Sequence, residues 1–107
     1  MRWAISLAVL AACQSSDVSR SLGARCDSSD DCDEKCLLES DGYPGGFCTI
    51  SCDTTADCPA SSSCVDVNGG VCLFTCNSEC TFLGTGYSCT ATDSRGGGAQ
   101  VMVCRGT

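Results

Sequence analysis

Twelve of the thirteen cysteines recur between residues 26 and 104 in three groups of four, and this repetition limits the chain to small cross-linked units. Units of this size cannot bury a hydrophobic face alone, so each must be stapled internally or pack on its neighbours. Three-residue spacers, 49–51 and 73–75, separate the groups. With the cysteines of each unit termed a, b, c and d in chain order, the units are Cys26, Cys32, Cys36, Cys48; Cys52, Cys58, Cys64, Cys72; and Cys76, Cys80, Cys89, Cys104.

The composition indicates that cross-links rather than a hydrophobic core stabilise the chain. Thirteen cysteines among 107 residues exceed the share, about 8–10%, that marks a disulfide scaffold. Apolar side chains after residue 25 are sparse, whereas closing a loop of about 15 residues with a disulfide contributes about 3 kcal/mol in the chain-entropy model. We therefore expect a small disulfide-rich protein with a cysteine-rich domain at 26–107, built from the repeats 26–48, 52–72 and 76–104.

Each unit follows the same internal pattern. An acidic residue precedes cysteine b, and a glycine-rich segment lies between c and d. In the second unit that segment contains Asn68-Gly69 between β-branched residues, which is a strong signal for a hairpin turn. Cysteines c and d should therefore lie on paired short strands, with a and b on the loop leading in. We expect three tandem units of short β-hairpins and loops, with little helix outside the signal peptide.

Four cysteines allow three pairings, and the sequence does not select one. We expect a–c and b–d, which ties both lead-in cysteines onto the hairpin. The main alternative shifts the frame and links neighbouring units through the close Cys48/Cys52 and Cys72/Cys76 pairs.

The N-terminal residues predict export and lipid attachment. Residues 1–12 combine one basic residue with an apolar run too short to span a bilayer, as in a signal peptide. They end in Leu10-Ala11-Ala12-Cys13, which resembles the lipobox of bacterial lipoproteins and would make Cys13 the lipid-bearing first residue. The alternative is an ordinary secretory signal with Cys13 incidental. Removing Cys13 for lipidation leaves an even number of cysteines, which favours the lipid anchor.

Residues 13–25 are polar and without periodicity, which predicts a flexible, lipid-anchored tether. Ten such residues have an r.m.s. reach of about 18 Å, enough to lift a small domain off the lipid surface. Inner-membrane lipoproteins carry Asp directly after the lipidated cysteine, whereas this chain has Gln14 there. In this respect it resembles lipoproteins of the outer membrane, which favours the outer membrane or the cell surface of a bacterial envelope.

Three short sequence segments around the cysteines resemble known modules: Gly45-Gly46-Phe47-Cys48-Thr49, Ala56-Asp57-Cys58-Pro59 and Gly86-Tyr87-Ser88-Cys89. They resemble the cysteine-rich repeats of secreted bacterial lipoproteins. The last is also similar to a turn in EGF-like modules, and the spacing loosely resembles the Dickkopf N-terminal cysteine-rich domain. The resemblance implies a small extracellular disulfide-rich fold and no defined activity.

Charge and residue content argue against several functions. A net charge of −7 with scattered basic residues is unsuited to nucleic acid. The chain has no histidine, which excludes Ser-His and Cys-His catalysis, so we expect no enzyme and no cofactor.

Zinc is disfavoured because an oxidising compartment favours disulfides. A solvated acidic loop is the favoured interpretation of the carboxylates near the first unit, and calcium is the alternative; these carboxylates are Asp27, Asp30, Asp31, Asp33 and Glu34.

Aromatic tips are the remaining candidates for binding, because Tyr and Phe supply contact area at low entropy cost. The candidates are Tyr43, Pro44, Phe82 and Tyr87. Tyr43, on a glycine-flanked tip, is expected to be the exposed contact, whereas Phe82 and Tyr87 are expected mainly to pack over disulfides.

These observations predict a surface-tethered, non-enzymatic recognition or envelope-structural module, attached to a membrane through its N-terminal lipid and facing an unknown protein or glycan partner. The alternatives are a protease inhibitor that presents residues 53–56 or 43–46, and a calcium-dependent adhesion module.

Overall fold

Three antiparallel hairpins, one per unit, form the fold. A computed structural model describes residues 18–106, so the predicted signal peptide 1–12 and Cys13 lie outside the described residues. The described part contains short 3₁₀ helices and no α-helix, as expected for a small disulfide-rich protein. The hairpins pair β1 (Lys35–Leu37) with β2 (Phe47–Thr49), β3 (Ser62–Val65) with β4 (Val71–Phe74), and β5 (Tyr87–Asp93) with β6 (Gln100–Gly106).

Cysteines c and d lie directly opposite each other in every hairpin, at Cys36↔Cys48, Cys64↔Cys72 and Cys89↔Cys104. Opposed cysteines do not bond across the hairpin; each bonds to a cysteine of the lead-in loop. The six disulfides match the expected a–c and b–d pairing, and the frame-shifted alternative does not form. The bonds are Cys26–Cys36, Cys32–Cys48, Cys52–Cys64, Cys58–Cys72, Cys76–Cys89 and Cys80–Cys104.

The acidic residue before cysteine b closes the lead-in loop of the first two units. The Asp31 carboxylate accepts a hydrogen bond from the Asp27 amide at 2.9 Å, and Asp57 accepts one from Asp53 at 3.0 Å. Both loops then contain one turn of 3₁₀ helix, Ser29–Asp31 and Thr55–Asp57. A carboxylate can satisfy exposed amides at such a turn, so the recurring acidic residue has a local structural role.

The spacers continue the hairpin strands rather than linking the units flexibly. After β2, Ile50 accepts a hydrogen bond from the Cys72 amide at 3.2 Å, so the first spacer runs alongside β4. After β4, Thr75 bridges to Val103, and the second spacer runs alongside β6. The spacer that continues the last strand of each of the first two units therefore pairs along the hairpin of the next unit. This pairing fixes the register between neighbouring units.

The first unit has an equivalent outer edge, supplied by residues predicted to belong to the tether. The Gly23 amide donates to Cys48 at 2.8 Å, and the Cys48 amide donates to Ala24 at 2.9 Å. Leu22 is buried in the core. The part of the predicted tether from Ser19 onward is therefore packed on the domain. The polar composition of residues 13–25 does not predict this packing, because a single apolar side chain, Leu22, is enough to anchor the segment.

Aromatic side chains from the first unit, the second spacer and the third unit meet at the centre. Phe47 lies 6.1 Å from Tyr43 and 6.2 Å, edge-on, from Phe74, measured between ring centroids. Tyr87 of the third unit lies 6.1 Å from Phe47. The third unit therefore packs back on the first, and the shared core is built from aliphatic side chains around these rings, chiefly Leu22, Leu37, Val65, Val71, Leu73 and Val103.

Candidate functional site

A shallow cleft lies where the first and third units meet. It has a volume of about 120 Å³ and is lined by Val18, Gly23, Arg25, Gly46, Phe82, Leu83 and Tyr87. Sites for drug-sized ligands usually measure about 300–1,000 Å³. This cleft is therefore matched to a single side chain or a similar small group rather than to an enclosed metabolite.

Glycines in the first unit create one wall of the cleft. Gly46 has a φ of +80°, and a Cβ there would meet the Cys26 carbonyl oxygen. Only a residue without a side chain permits this approach. The turn directs Tyr43 inward, where it is 4% exposed, so the prediction of an exposed contact at Tyr43 is wrong. The physical reason is that the third unit covers this tip.

The hydroxyl of Tyr87 joins the two units. It donates a hydrogen bond to the Pro44 carbonyl at 3.0 Å, between residues 43 positions apart. The ring of Pro44 also lies against the backbone of Gly86. Pro44 and Tyr87 are thus half-buried parts of an internal contact. The prediction for Tyr87 is packing over a disulfide; the rings it meets in the structure are those of Tyr43 and Phe47.

Burial raises the pKa of both tyrosines above the ordinary value. Burial is the largest cause in each case, because it disfavours the charged phenolate. Arg105 opposes the shift at Tyr43, and Arg25 opposes it at Tyr87. Both phenols therefore remain neutral at physiological pH and serve as packing and hydrogen-bonding groups.

Phe82 forms the exposed rim of the cleft. It lies in the 3₁₀ helix Thr81–Leu83, directly after Cys80, whose disulfide fixes the turn. Its ring packs edge-on against Phe74 at 5.3 Å between centroids, yet 55% of the residue is exposed. Phe82 was expected mainly to cover a disulfide; its partner is an aromatic ring, and it presents a large apolar surface.

Two exposed side chains of the cleft, Val18 and Arg25, are not among the residues that the sequence indicated for binding. Val18 is 40% exposed where it lines the cleft, and the Arg25 guanidinium lies over Gly45. Among residues 18–106, Arg25 has no acidic side chain within ion-pair distance. Val18 stands in a polar segment and Arg25 directly before Cys26, and neither position carries a sequence signal of its spatial neighbours.

The acidic residues considered for calcium make contacts within the protein. Asp31 holds the lead-in loop, and Asp33 accepts a hydrogen bond from the Ser21 hydroxyl at 2.6 Å and pairs with Arg20 at 3.5 Å. Glu34 accepts a hydrogen bond from the Ser51 amide at 2.7 Å. These contacts account for three of the five carboxylates as structural groups.

Each unit also brings three cysteine sulfurs within 4.8 Å of one another. All of these sulfurs belong to disulfides. Thiolates, rather than disulfide sulfurs, bind metals. A zinc site would therefore require reduction of the bonds that hold the fold.

The structure and the comparisons define the type of protein but no family. No known protein family, curated protein or solved structure matches this chain. Among residues 18–106, no helix is both long enough and apolar enough to cross a bilayer. The chain is a small, disulfide-rich protein, and its many disulfides indicate an oxidising environment.

Proposed function

We propose that this chain is an exported, lipid-anchored module with a non-enzymatic recognition or envelope-structural role. The observation that carries the proposal is the complete pairing of the twelve cysteines from Cys26 to Cys104 with one another. Of the thirteen cysteines in the sequence, this leaves only Cys13 without a cysteine partner in the chain. An odd cysteine in an exported protein requires a separate chemical role.

The residues before Cys13 supply that role. Leu10-Ala11-Ala12 resembles the lipobox, in which the following cysteine receives a diacylglycerol group and becomes the mature N-terminus. The proposed location is a bacterial cell envelope, at the outer membrane or cell surface. The resemblance to bacterial cysteine-rich lipoproteins, with its EGF-like phrase, supports the same location.

A non-enzymatic role fits the chemistry of the surface. The chain has no histidine, and the carboxylates of Asp31, Asp33 and Glu34 hold backbone or neighbouring side chains. The rigid hairpins can instead present a fixed surface to a protein or glycan. The acidic net charge of −7 supports the absence of nucleic acid among the partners.

The geometry does not favour the inhibitor alternative at the two segments considered for it. Tyr43 and Gly46 are buried beneath the third unit, and Thr55–Asp57 is a 3₁₀ turn held by the Asp57 carboxylate. Residues 53–56 are exposed, but they enter this turn rather than forming the extended strand that a protease binds. The calcium alternative is tested by thermal melting in calcium and in chelator, where an unchanged transition would remove it.

Intact mass of the protein purified from native membranes tests the proposal. We expect the six disulfides to lower the mass by twelve hydrogens relative to the reduced form, and acylation at Cys13 to add lipid mass. Substituting Cys13→Ser should abolish the lipid mass and release the protein from the membrane fraction. A Cys13→Ser protein that remains membrane-bound would contradict the anchor.

A further inference from the structure

We propose that the rim formed by Val18, Phe82 and Arg25 is a lipid-contact surface that rests on the membrane holding the chain. This inference rests on the lipid anchor at Cys13 proposed above. It assigns the exposed rim a partner, the interfacial region of the same bilayer, and gives the domain a fixed orientation rather than free rotation on a tether.

The packed segment before Cys26 brings the domain close to the anchor. Because the chain is packed from Ser19 onward, only residues 14–17 separate Cys13 from Val18. Five Cα steps span at most about 18 Å, whatever their conformation. The polar headgroup layer on each side of a bilayer is about 5–8 Å thick. The anchor therefore holds Val18 no more than about 10–13 Å beyond the headgroup layer, close enough for a small tilt of the domain to bring the rim onto the lipid.

The residues around that point suit a lipid interface. Val18 and Phe82 are two of the four large hydrophobic side chains exposed in the described part of the chain, and both line one cleft. Aromatic and aliphatic side chains of this kind enter the boundary between headgroups and acyl chains. Phe74 supports the Phe82 ring from behind, so the ring is presented in a fixed position.

Arg25 adds charge complementarity. The cleft is lined by this arginine and by no acidic residue, although the chain has a net charge of −7. A guanidinium without an acidic partner among the described residues can pair with lipid phosphate. Anchoring holds this surface at a high effective concentration of lipid, so a contact too weak to recruit the free domain can still orient it.

A single tryptophan placed at the rim tests the contact. The only tryptophan of the chain, Trp3, lies in the proposed signal peptide, so a Phe82→Trp, Trp3→Phe double variant has a single indole whether or not that peptide is removed. The mature protein, acylated at Cys13 by the cell, is reconstituted into phosphatidylcholine vesicles containing brominated acyl chains. We expect a blue-shifted emission and about twofold or greater quenching, because an interfacial side chain lies roughly 5–10 Å into the lipid boundary.

Met102→Trp in the same Trp3→Phe background is the matched control. Met102 is 41% exposed on β6 but does not line the cleft. Its indole should be quenched much less. Equal quenching of the two indoles, or none at Phe82→Trp, would overturn the inference and leave the rim as a surface for a protein side chain.

Arginine substitution tests the polar half of the contact. Arg25→Gln should weaken quenching of the Phe82→Trp indole, whereas Lys35→Gln, which removes the same charge on β1, should not. Equal quenching in the two variants would remove Arg25 from the contact.

The anchor and the contact can fail separately. Intact mass shows whether Cys13 is acylated. If it is not, the Cys13 thiol is coupled to a maleimide-bearing phospholipid in the same vesicles, which restores the attachment point. Absence of quenching from that attached form would overturn the lipid contact independently of the biological anchor.

Discussion

At the scale of single residues, the two tyrosines show how burial changes the chemistry of a side chain. Tyr43 and Tyr87 are the only tyrosines in the chain, and both lie between the first and third units. Burial raises the pKa of each phenol above its ordinary value. Because the raised pKa belongs to the folded state, the tyrosines contribute stability below about pH 10, and this is lost as pH rises through the raised pKa values.

We therefore expect tyrosinate absorbance to appear at higher pH in the native protein than in the protein unfolded by denaturant. Tyr87→Phe should leave one titrating phenol, Tyr43, and should also destabilise the fold by about 0.5–1.5 kcal/mol through the lost hydrogen bond to Pro44. The measurements are absorbance titration and denaturant unfolding. Coincident titration curves for the native and unfolded protein would contradict the burial of these phenols.

The burial of Tyr43 could not be predicted from its surroundings in the sequence. Its flanking residues, Gly42 and Pro44, indicate a turn, and a turn normally lies at the surface. The residue that covers it, Tyr87, is far away in the chain. No local pattern records which tip will be covered when the third unit packs on the first.

A second residue-scale prediction concerns Asp57, whose pKa is lowered by hydrogen bonds from the Asp53 and Thr54 amides. A lowered pKa in the folded state gives stability above the ordinary aspartate range, and it is lost as pH falls through the lowered value. Asp57→Ala should therefore lower the melting temperature at neutral pH, and the difference from the parent should shrink in acid. Thermal melts across pH measure this effect.

Asp30→Ala is the control for Asp57→Ala, because it removes the same charge in the corresponding turn of the first unit. No hydrogen bond or ion pair of the Asp30 carboxylate is present within residues 18–106. A deficit of the same size and pH dependence in Asp30→Ala would show that general charge, rather than the Asp57 hydrogen bonds, is responsible.

At the scale of elements, the spacers are the features that connect one hairpin to the next. Thr49 ends β2, is fully buried, and donates a hydrogen bond from its hydroxyl to the Cys72 carbonyl at 2.6 Å. This bond joins the first spacer to β4 in the second unit. It therefore reports on the coupling between units rather than on either hairpin alone.

We expect Thr49→Val to destabilise the protein by about 1–3 kcal/mol, because it leaves a buried carbonyl without this donor. Thr75→Val is the matched control: Thr75 is exposed, and its hydroxyl contacts the Ser61 carbonyl at 3.2 Å. That change should stay within about 0.5 kcal/mol. Denaturant midpoints measure both, and equal losses would contradict a special role for the buried spacer.

The sequence was most informative at this scale. Opposed cysteines on short strands and glycine-rich turns follow from local residue preferences, and Asn68-Gly69 marks its turn directly, with both residues at positive φ. The strand-like pairing of Gly23 and Ala24 with Cys48 does not follow, because it depends on an exposed backbone edge that only the folded hairpin provides.

At the scale of the whole molecule, the fold is stabilised both by disulfide-closed loops and by one shared aromatic core. The bond Cys80–Cys104 closes the longest loop, with a sequence separation of 24, and Cys26–Cys36 closes the shortest, with a separation of 10. In the chain-entropy model these loops contribute about 3.5 and about 2.7 kcal/mol. Loop length alone therefore predicts only a small difference between the contributions of these two disulfides to stability.

We expect replacing Cys80 and Cys104 together by alanine to cost about 3.5 kcal/mol or more, because Cys80 also fixes the turn that carries Phe82 and Leu83. The matched double variant at Cys26 and Cys36 should cost less. Denaturant unfolding of both proteins, with the remaining bonds verified by mass, measures the difference. A smaller loss for the Cys80/Cys104 variant would contradict this ranking.

The continuity of β2 and β4 with their spacers has a consequence for how such a chain can change. Successive residues of a strand face opposite sides, so each three-residue spacer sets the phase in which the next set of cysteines meets its partners. Deleting one spacer residue would reverse the facing of the cysteine that directly follows it, whereas deleting two would preserve that facing. Whole units with their spacers can therefore be duplicated in register, whereas the loss of a single spacer residue would misplace the first cysteine of the next unit.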